Sequence, residues 1–239
     1  MRIVKDLKCK KGISVRELAE GLGNVGFQGV ELSKASNAII KMKKAGAKIF
    51  LTFTSNMVTS GLRGFFAQLI NLGMVDVIVT TAGSIEEDIM RAHGEKFPIA
   101  SFYSDDVELH EKGENRVGNI IVRNESYMRF ENLIKDMIRK VYEKNKRVPV
   151  SEMLKEFGLM LKDDDSMLYQ AARKNVPVFC PAITDGAIGF HLFLFQQGNK
   201  DFIVDVVQDF SNILFSSSYD DAKGIIALGG GVSKHHAIL

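Results

Sequence analysis

The chain has 239 residues, with 31 lysines and arginines against 29 aspartates and glutamates, for a net charge of +2. Hydrophobic residues at 46% and charged residues at 25% are ordinary values for a chain that folds around a core, so global disorder is excluded. A near-neutral balance argues against an electrostatic nucleic-acid binder, and no apolar run reaches the ~18 residues of a membrane span.

The first eight residues, MRIVKDLK, carry charges every two or three positions and no apolar signal core. Cys9 and Cys180 lie far apart and make neither a disulfide framework nor a zinc site. These features predict a soluble, reduced, cytoplasmic chain of enzyme size, with no membrane segment and no metal-ligand spacing.

In chain order, residues 14–20 (SVRELAE) predict a helix that begins at a serine cap. Gly21, Gly23 and Gly26 then spell GxGxxG. The dinucleotide fingerprint needs a strand before it, so these glycines are expected to end the helix and turn the chain. Four short apolar runs, at 48–54, 75–81, 176–182 and 224–230, have the length and continuity of strands buried on both faces of a parallel sheet. Helical patterns lie between them at 60–72, 85–91, 127–144, 151–161, 166–174, 187–197 and 201–215. In the last, Phe202, Val206, Phe210 and Ile213 form an amphipathic stripe. The polar stretch 101–123 is expected to be a long loop or hairpin extension.

Strands alternating with helices predict an open, doubly wound, Rossmann-like α/β fold, with a parallel sheet and helices on both faces. Four prolines and no linker-like stretch predict a single domain over residues 1–239.

Four strand ends carry candidate chemistry, since open α/β sheets bind ligands at the carboxyl ends of their strands. After the first strand come Ser55, Asn56, Thr59 and Ser60. They could hold a phosphate-bearing ligand beside a helix N-terminus, or Thr59 or Ser60 could simply cap the helix. After the second come Thr81, Ala82 and Gly83, small enough for close backbone approach, followed by Glu86, Glu87 and Asp88. Those acids could bind a cation or ribose hydroxyls. Alternatively, Ser84 and Glu87 form a capping box, and the acids suit a first helical turn. Asp185, before Gly186, could be an N-cap or a ligand contact. Gly229, Gly230 and Gly231 permit backbone contact with a ligand, with His235 as a possible acid or base. The Asn124 sequon lacks a secretory context. The lysine clusters at 8–11 and 41–48 and the run Asp163-Asp164-Asp165 are expected to be solvated, and methionines and phenylalanines at helical spacing to be core.

Five blocks together carry a resemblance: TSNMVTSGLR at 54–63, GMVDVIVTTAGSIEEDI at 73–89, NRVGNIIVRNESY at 115–127, PVFCPAITDGAIG at 177–189 and LGGGVSKHH at 228–236. In order and spacing they resemble deoxyhypusine synthases over about residues 48–239, and the short N-terminus looks more like that of archaeal members. The resemblance implies an NAD-dependent transferase that oxidises spermidine and passes its aminobutyl group, through an enzyme lysine imine, to one lysine of the translation factor 5A precursor. It implies a homotetramer with active sites between subunits. Carried over by position, Ser55, Asn56, Thr59, Thr81, Ala82, Gly83 and Asp185 would hold NAD. Glu86, Glu87, Gly230 and His235 would bind the polyamine, with His235 and Glu87 as catalytic groups.

Two positions depart from the pattern. Phe190, beside His191, stands where eukaryotic members place a second aspartate against the polyamine. The family's imine-forming lysine lies beyond the GGGVxKHH block, whereas the sequence stops three residues after His236 and holds no tryptophan. Lys234 matches a non-catalytic family lysine. The resemblance therefore implies a truncated or split enzyme, in which a fragment or paralogue supplies the lysine within a heteromer. The alternatives are a non-catalytic NAD-binding regulatory subunit and a homospermidine-synthase-like polyamine enzyme.

Overall fold

The computed structural model describes residues 3–239. The chain divides into two compact units, one comprising residues up to Ile49 with Asp220–Gly224, the other Phe50–Tyr219 with Ile225–Leu239.

The smaller unit holds α1 (Val15–Leu22) and α2 (Gln28–Lys44). Ser14 caps α1 in a reciprocal box: its hydroxyl accepts from the Glu17 amide at 3.1 Å, and Glu17 Oε2 accepts from the Ser14 amide at 2.8 Å. Gly23 closes the helix, its amide bonded to the Glu20 carbonyl. The glycines of the GxGxxG run thus follow a helix and turn the chain, as expected. No apolar stripe announces α2 in the sequence, because Ser33 is its one buried residue.

In the larger unit the chain continues through β1 (Lys48–Phe53), which begins in the smaller one, a short helix α3 (Ser55–Met57) and a π-helical turn at Val58–Leu62. Then follow α4 (Arg63–Asn71), β2 (Val77–Val79), α5 (Ala82–Ala92) and α6 (Asp106–Glu111). Next come β3 (Glu114–Val117), β4 (Ile120–Arg123), α7 (Asn124–Lys144), β5 (Arg147–Pro149), α8 (Val150–Met160) and α9 (Met167–Lys174). The last are β6 (Val178–Phe179), α10 (Ala187–Gly198), β7 (Ile203–Asp205), α11 (Val206–Leu214), β8 (Lys223–Leu228) and α12 (Gly231–Ile238).

The main sheet has the order β6-β2-β1-β8. β1 and β2 pair in parallel, with Leu51 opposite Ile78, and β2 and β6 pair in parallel, with Val79 opposite Phe179. Alternation along these strands divides the core. Leu51, Phe53, Ile78 and Val178 join a large cluster with Phe66 of α4, Ile85 and Ile89 of α5, and residues of α7, α8 and α9. Phe50, Val77, Val79 and Phe179 face the other way, against Ile213 of α11. Successive strand residues point to opposite faces, so a run that is apolar at every position needs helices on both. The predicted α/β class and its covered parallel sheet are present.

Elsewhere the structure refines the expectations. The 101–123 extension holds α6 and the antiparallel hairpin β3–β4, turning at Gly118, whose φ of 64° suits glycine. The helix predicted over 201–215 begins only at Val206. Residues Ile203–Asp205 form β7, parallel to β5, and the Asp205 carboxylate caps α11 by accepting from the Gln208 amide at 2.8 Å. Phe202 therefore lies outside the helix, buried among the rings of Tyr142 and Phe195. Of the predicted stripe on the helix itself, only Ile213 is buried. The phenylalanines at helical spacing are not all core either, since Phe65, Phe190, Phe193 and Phe215 are exposed. No helix among the described residues is long and apolar enough to cross a membrane.

Candidate active site

Three loops at the carboxyl edge of the main sheet converge on α5. β1 hands over at Thr54, whose hydroxyl bonds the Asn56 side chain. β2 hands over at Thr80, whose buried hydroxyl reaches the Phe53 carbonyl (3.0 Å) and the Ser84 hydroxyl (2.7 Å), tying the two strand ends together. A Cβ on Gly83 would stand 3.0 Å from Ser55 Cβ, so glycine there lets the Ser55 loop lie against the first turn of α5.

Thr81 is the N-cap residue of α5, but its side chain makes no cap bond, and its Oγ1 is buried without a partner. The capping box expected from Ser84 and Glu87 does not form. The helix starts two residues before Ser84, so neither side chain stands at a cap position. Ser84 is buried against Thr80, and Glu87 turns to another loop.

The three acids of α5 are all buried and face different neighbours. Glu86 Oε1 accepts from the Ile188 amide at 3.0 Å, at the N-terminus of α10. Burial pushes its carboxyl upward, against the pull of the Ile188 and Ala187 amides, and the charge of Asp185 adds to the rise. Glu87 Oε2 accepts from the Thr59 hydroxyl at 2.6 Å. Burial raises its pKa to about 7, opposed by the Thr59 hydrogen bond and reinforced by the charge of Glu86. Asp88 is fully buried and accepts from Arg63 Nε at 2.5 Å. Arg63 also binds Asp163 at 2.6 Å, so the first residue of the Asp163–Asp165 run belongs to a buried network and not to the solvated surface. Asp164 and Asp165 are exposed as expected.

A helix N-terminus meets Glu86 because Gly186 lets it. A Cβ at Gly186 would fall 2.4 Å from Glu86 Oε1 and 3.0 Å from Ala82 Cβ. Asp185 itself is exposed and is not the cap of α10, a place taken by Gly186. Gly230 precedes α12 as its N-cap residue, and His235 is exposed on that helix. Gly229, with φ of 94°, packs its Cα side against Thr54, where a Cβ would lie 3.0 Å from Thr54 Oγ1. Ser55, Thr59, Thr81, Ala82, Gly83, Glu86 and Glu87 are thus brought together around α5. Among the described residues, His235 makes no hydrogen bond to Glu86 or Glu87.

The sequence reading passed over Arg63 and Tyr127. Tyr127, in the first turns of α7, has its phenol raised by burial and by the charges of Glu86 and Glu87. Its one sequence signal is membership of the block NESY. Cys180 is buried, and its thiol is pushed far upward by burial, which makes it inert at neutral pH.

Chemically, two adjoining carboxyls are buried, and burial raises the pKa of one of them to about 7. Such a pair holds a cation, or gives and takes a proton, at physiological pH. Around it are small residues, hydroxyls and helix N-termini at the end of a parallel sheet. Together these make the carboxyl edge of the α/β sheet a candidate ligand site with a buried acidic pair.

The family model for deoxyhypusine synthase matches residues 17–239. The probable deoxyhypusine synthase of Schizosaccharomyces pombe is 38% identical over 242 residues, spanning 94% of this chain and 69% of that protein. The probable deoxyhypusine synthase of Thermoplasma volcanium is 36% identical, spanning 98% of this chain and 76% of that one. The solved structure of a candidate deoxyhypusine synthase from Entamoeba histolytica is 31% identical, with a TM-score of 0.70 over 92% of this chain and 80% of that chain. The chain belongs to the deoxyhypusine synthase family, a family of transferases.

Proposed function

We propose that the chain carries the reaction of its family: NAD-dependent transfer of the aminobutyl group of spermidine to a lysine of the translation factor 5A precursor. The observation that carries this reading is the buried pair Glu86 and Glu87, set against the small-residue start of α5.

The residues present fit the cofactor. The Thr81 hydroxyl is buried with no partner, at the open N-terminus of an 11-residue helix, with Ser55 against Gly83 beside it. This is a polar cradle for a phosphate-bearing ligand. Ser55, Asn56, Thr59, Thr81, Ala82, Gly83 and Asp185 would hold NAD, which when bound supplies the hydride acceptor. The chain's own groups named below bind the polyamine and move its proton. Glu86, kept accepting by the α10 amides, offers negative charge to a polyammonium substrate. Glu87, with its pKa of about 7, binds the same substrate and can exchange a proton with it. His235 takes the amine proton, because a neutral amine gives up hydride more readily than an ammonium, and Gly230 leaves room beside it. In this reading the chain acts in the homotetrameric assembly of its family.

The test has two stages. Calorimetry of the purified chain should show NAD binding, then spermidine binding that depends on NAD. Label from radioactive spermidine should next be followed onto the translation factor precursor, with and without a full-length relative to complete the assembly. Absence of spermidine binding in the presence of NAD would overturn the reading, and NAD binding alone would point to a regulatory subunit.

A further inference from the structure

The Arg63–Asp88 pair takes no part in the proposed chemistry, yet both charges are buried and hydrogen-bonded. Arg63 is 4% exposed and Asp88 0%. Asp88 Oδ1 accepts from Arg63 Nε, while Oδ2 accepts from the Ser166 hydroxyl and the Leu168 amide, both at 2.9 Å. The second Arg63 nitrogen reaches Asp163 Oδ2 at 2.6 Å and the Asp88 carbonyl at 3.4 Å. Three segments meet here: the start of α4, the middle of α5 and the N-terminus of α9. Burial opposes both charges, but the two aspartates hold the guanidinium charged. A buried ion pair is weak evidence for stability, because desolvation cancels much of its Coulombic gain. What it does fix is geometry.

The geometry in question is that of the π turn. Arg63 follows Val58–Leu62 directly, and Thr59 stands at the other end of that turn. Between them Gly61, with φ of 104°, breaks the helical path, so helical hydrogen bonding alone does not set Thr59 relative to α4. Two adjacent acids of α5 grip the segment instead, Asp88 through Arg63 and Glu87 through Thr59.

We infer that Arg63 and Asp88 are positioning residues, whose buried pair sets the π turn so that the Thr59 hydroxyl meets the Glu87 carboxyl. The inference rests on the proposed function only in treating Glu87 as a site carboxyl. The groups that face Glu87 are Glu86 and Arg91 on α5, Thr59 on the π turn and Tyr127 on α7, with Asp185 facing Glu86 from the start of α10. Arg63 is not among them, so its influence passes through the turn.

The test is a carboxyl titration of the full chain by NMR with carboxyl-labelled glutamate, the Glu87 signal being assigned by its loss in Glu87→Gln. Thr59→Val removes a donor to the carboxylate and should raise the Glu87 midpoint by roughly one pH unit. Arg63→Lys keeps the charge but loses the fork, and should raise the midpoint in the same direction. The double variant Arg63→Lys/Thr59→Val should show no more than the Thr59→Val shift, since both act through one contact. An unmoved midpoint in Arg63→Lys, or fully additive shifts, would overturn the inference and leave the pair a mere clamp. Should Arg63→Lys fail to fold, Asp163→Asn loosens the same arginine from the half-buried side, and there too an unmoved midpoint overturns the inference. These midpoints are read without substrate, so failure of spermidine to bind the wild-type chain would fault the function and not the positioning.

Discussion

The Thr59 hydroxyl and the Glu87 carboxyl, 28 positions apart in sequence, meet at 2.6 Å. The same hydroxyl lies 3.0 Å from the Ser55 carbonyl. It has one proton for two acceptors, and the arrangement therefore serves both states of the acid. With Glu87 ionised, Thr59 donates to it. With Glu87 protonated, the acid donates to Thr59, and Thr59 turns its own proton to Ser55.

The first prediction follows from that relationship. Thr59→Ser keeps the hydroxyl and should leave the limb of the pH–rate profile set by Glu87 near 7. Thr59→Val should move this limb upward by roughly one unit, because an ionised carboxylate loses its donor. Steady-state rates across pH 5–9 with saturating spermidine make the comparison.

Stability should carry the same signature. Glu87 titrates at about 7 in the folded chain against an ordinary value of 4.5, so between those values the folded state holds the proton that the unfolded state has lost. Its contribution is fully present below 4.5 and is lost as pH rises through 7. Glu87→Gln should abolish this part of the pH dependence and stabilise the chain above pH 7 by about 3 kcal/mol. Urea unfolding at pH 5 and pH 8 measures both; a variant that tracks the wild type at both would contradict the assignment.

Gly186→Ala should damage binding without disturbing the backbone conformation, because φ at Gly186 is 165°, extended and open to any residue. The cost is steric, a Cβ 2.4 Å from Glu86 Oε1. Overpacking of this kind costs about 1–3 kcal/mol, and displacement of Glu86 from the Ile188 amide should weaken spermidine binding about tenfold or more. Calorimetric titration would show it, and unchanged affinity would mean that Glu86 lies off the substrate.

The proposed roles of Asp185 and His235 separate in binding experiments. Asp185→Ala should weaken NAD binding. His235→Ala should slow spermidine oxidation while NAD affinity stays near the wild-type value. Loss of cofactor binding in His235→Ala would place that histidine on the cofactor and not on the amine.

Phe202 tests the fold. It packs edge-on against Tyr142 and Phe195 at ring separations of 5.6 Å and is 1% exposed. Phe202→Ala should cost about 3–5 kcal/mol, whereas Phe210→Ala, on the exposed helix face, should cost much less. Chemical denaturation midpoints distinguish the two.

Much of this architecture was legible because it rests on local signals. Continuous apolar runs mark strands covered on both sides, and Ser14 with Glu17 spells out a cap whose two bonds both form. The acids of α5 were visible as candidates, but their partners were not. Arg63, the Ile188 amide and Tyr127 reach α5 from segments distant in sequence, and nothing within a short window encodes such a meeting. At α11 a stronger local rule prevails: Asp205, three residues before Gln208, caps the helix, and this outweighs a spacing pattern that includes Phe202. The Ser84–Glu87 box failed for the converse reason. A matching pattern was present, but the helix already had an earlier start.

The consecutive acids Glu86, Glu87 and Asp88 point in three directions because each step along a helix turns the side chain by about 100°. One meets an amide, the next a hydroxyl, the third a guanidinium. Inserting a single residue between Thr81 and Glu86 would set the titrating carboxyl against the arginine, and deleting one would set the ion-paired carboxyl against the threonine. Charge and composition would scarcely change, yet the division of labour would be scrambled. This short stretch should therefore tolerate exchanges of side chain far better than any change in its length.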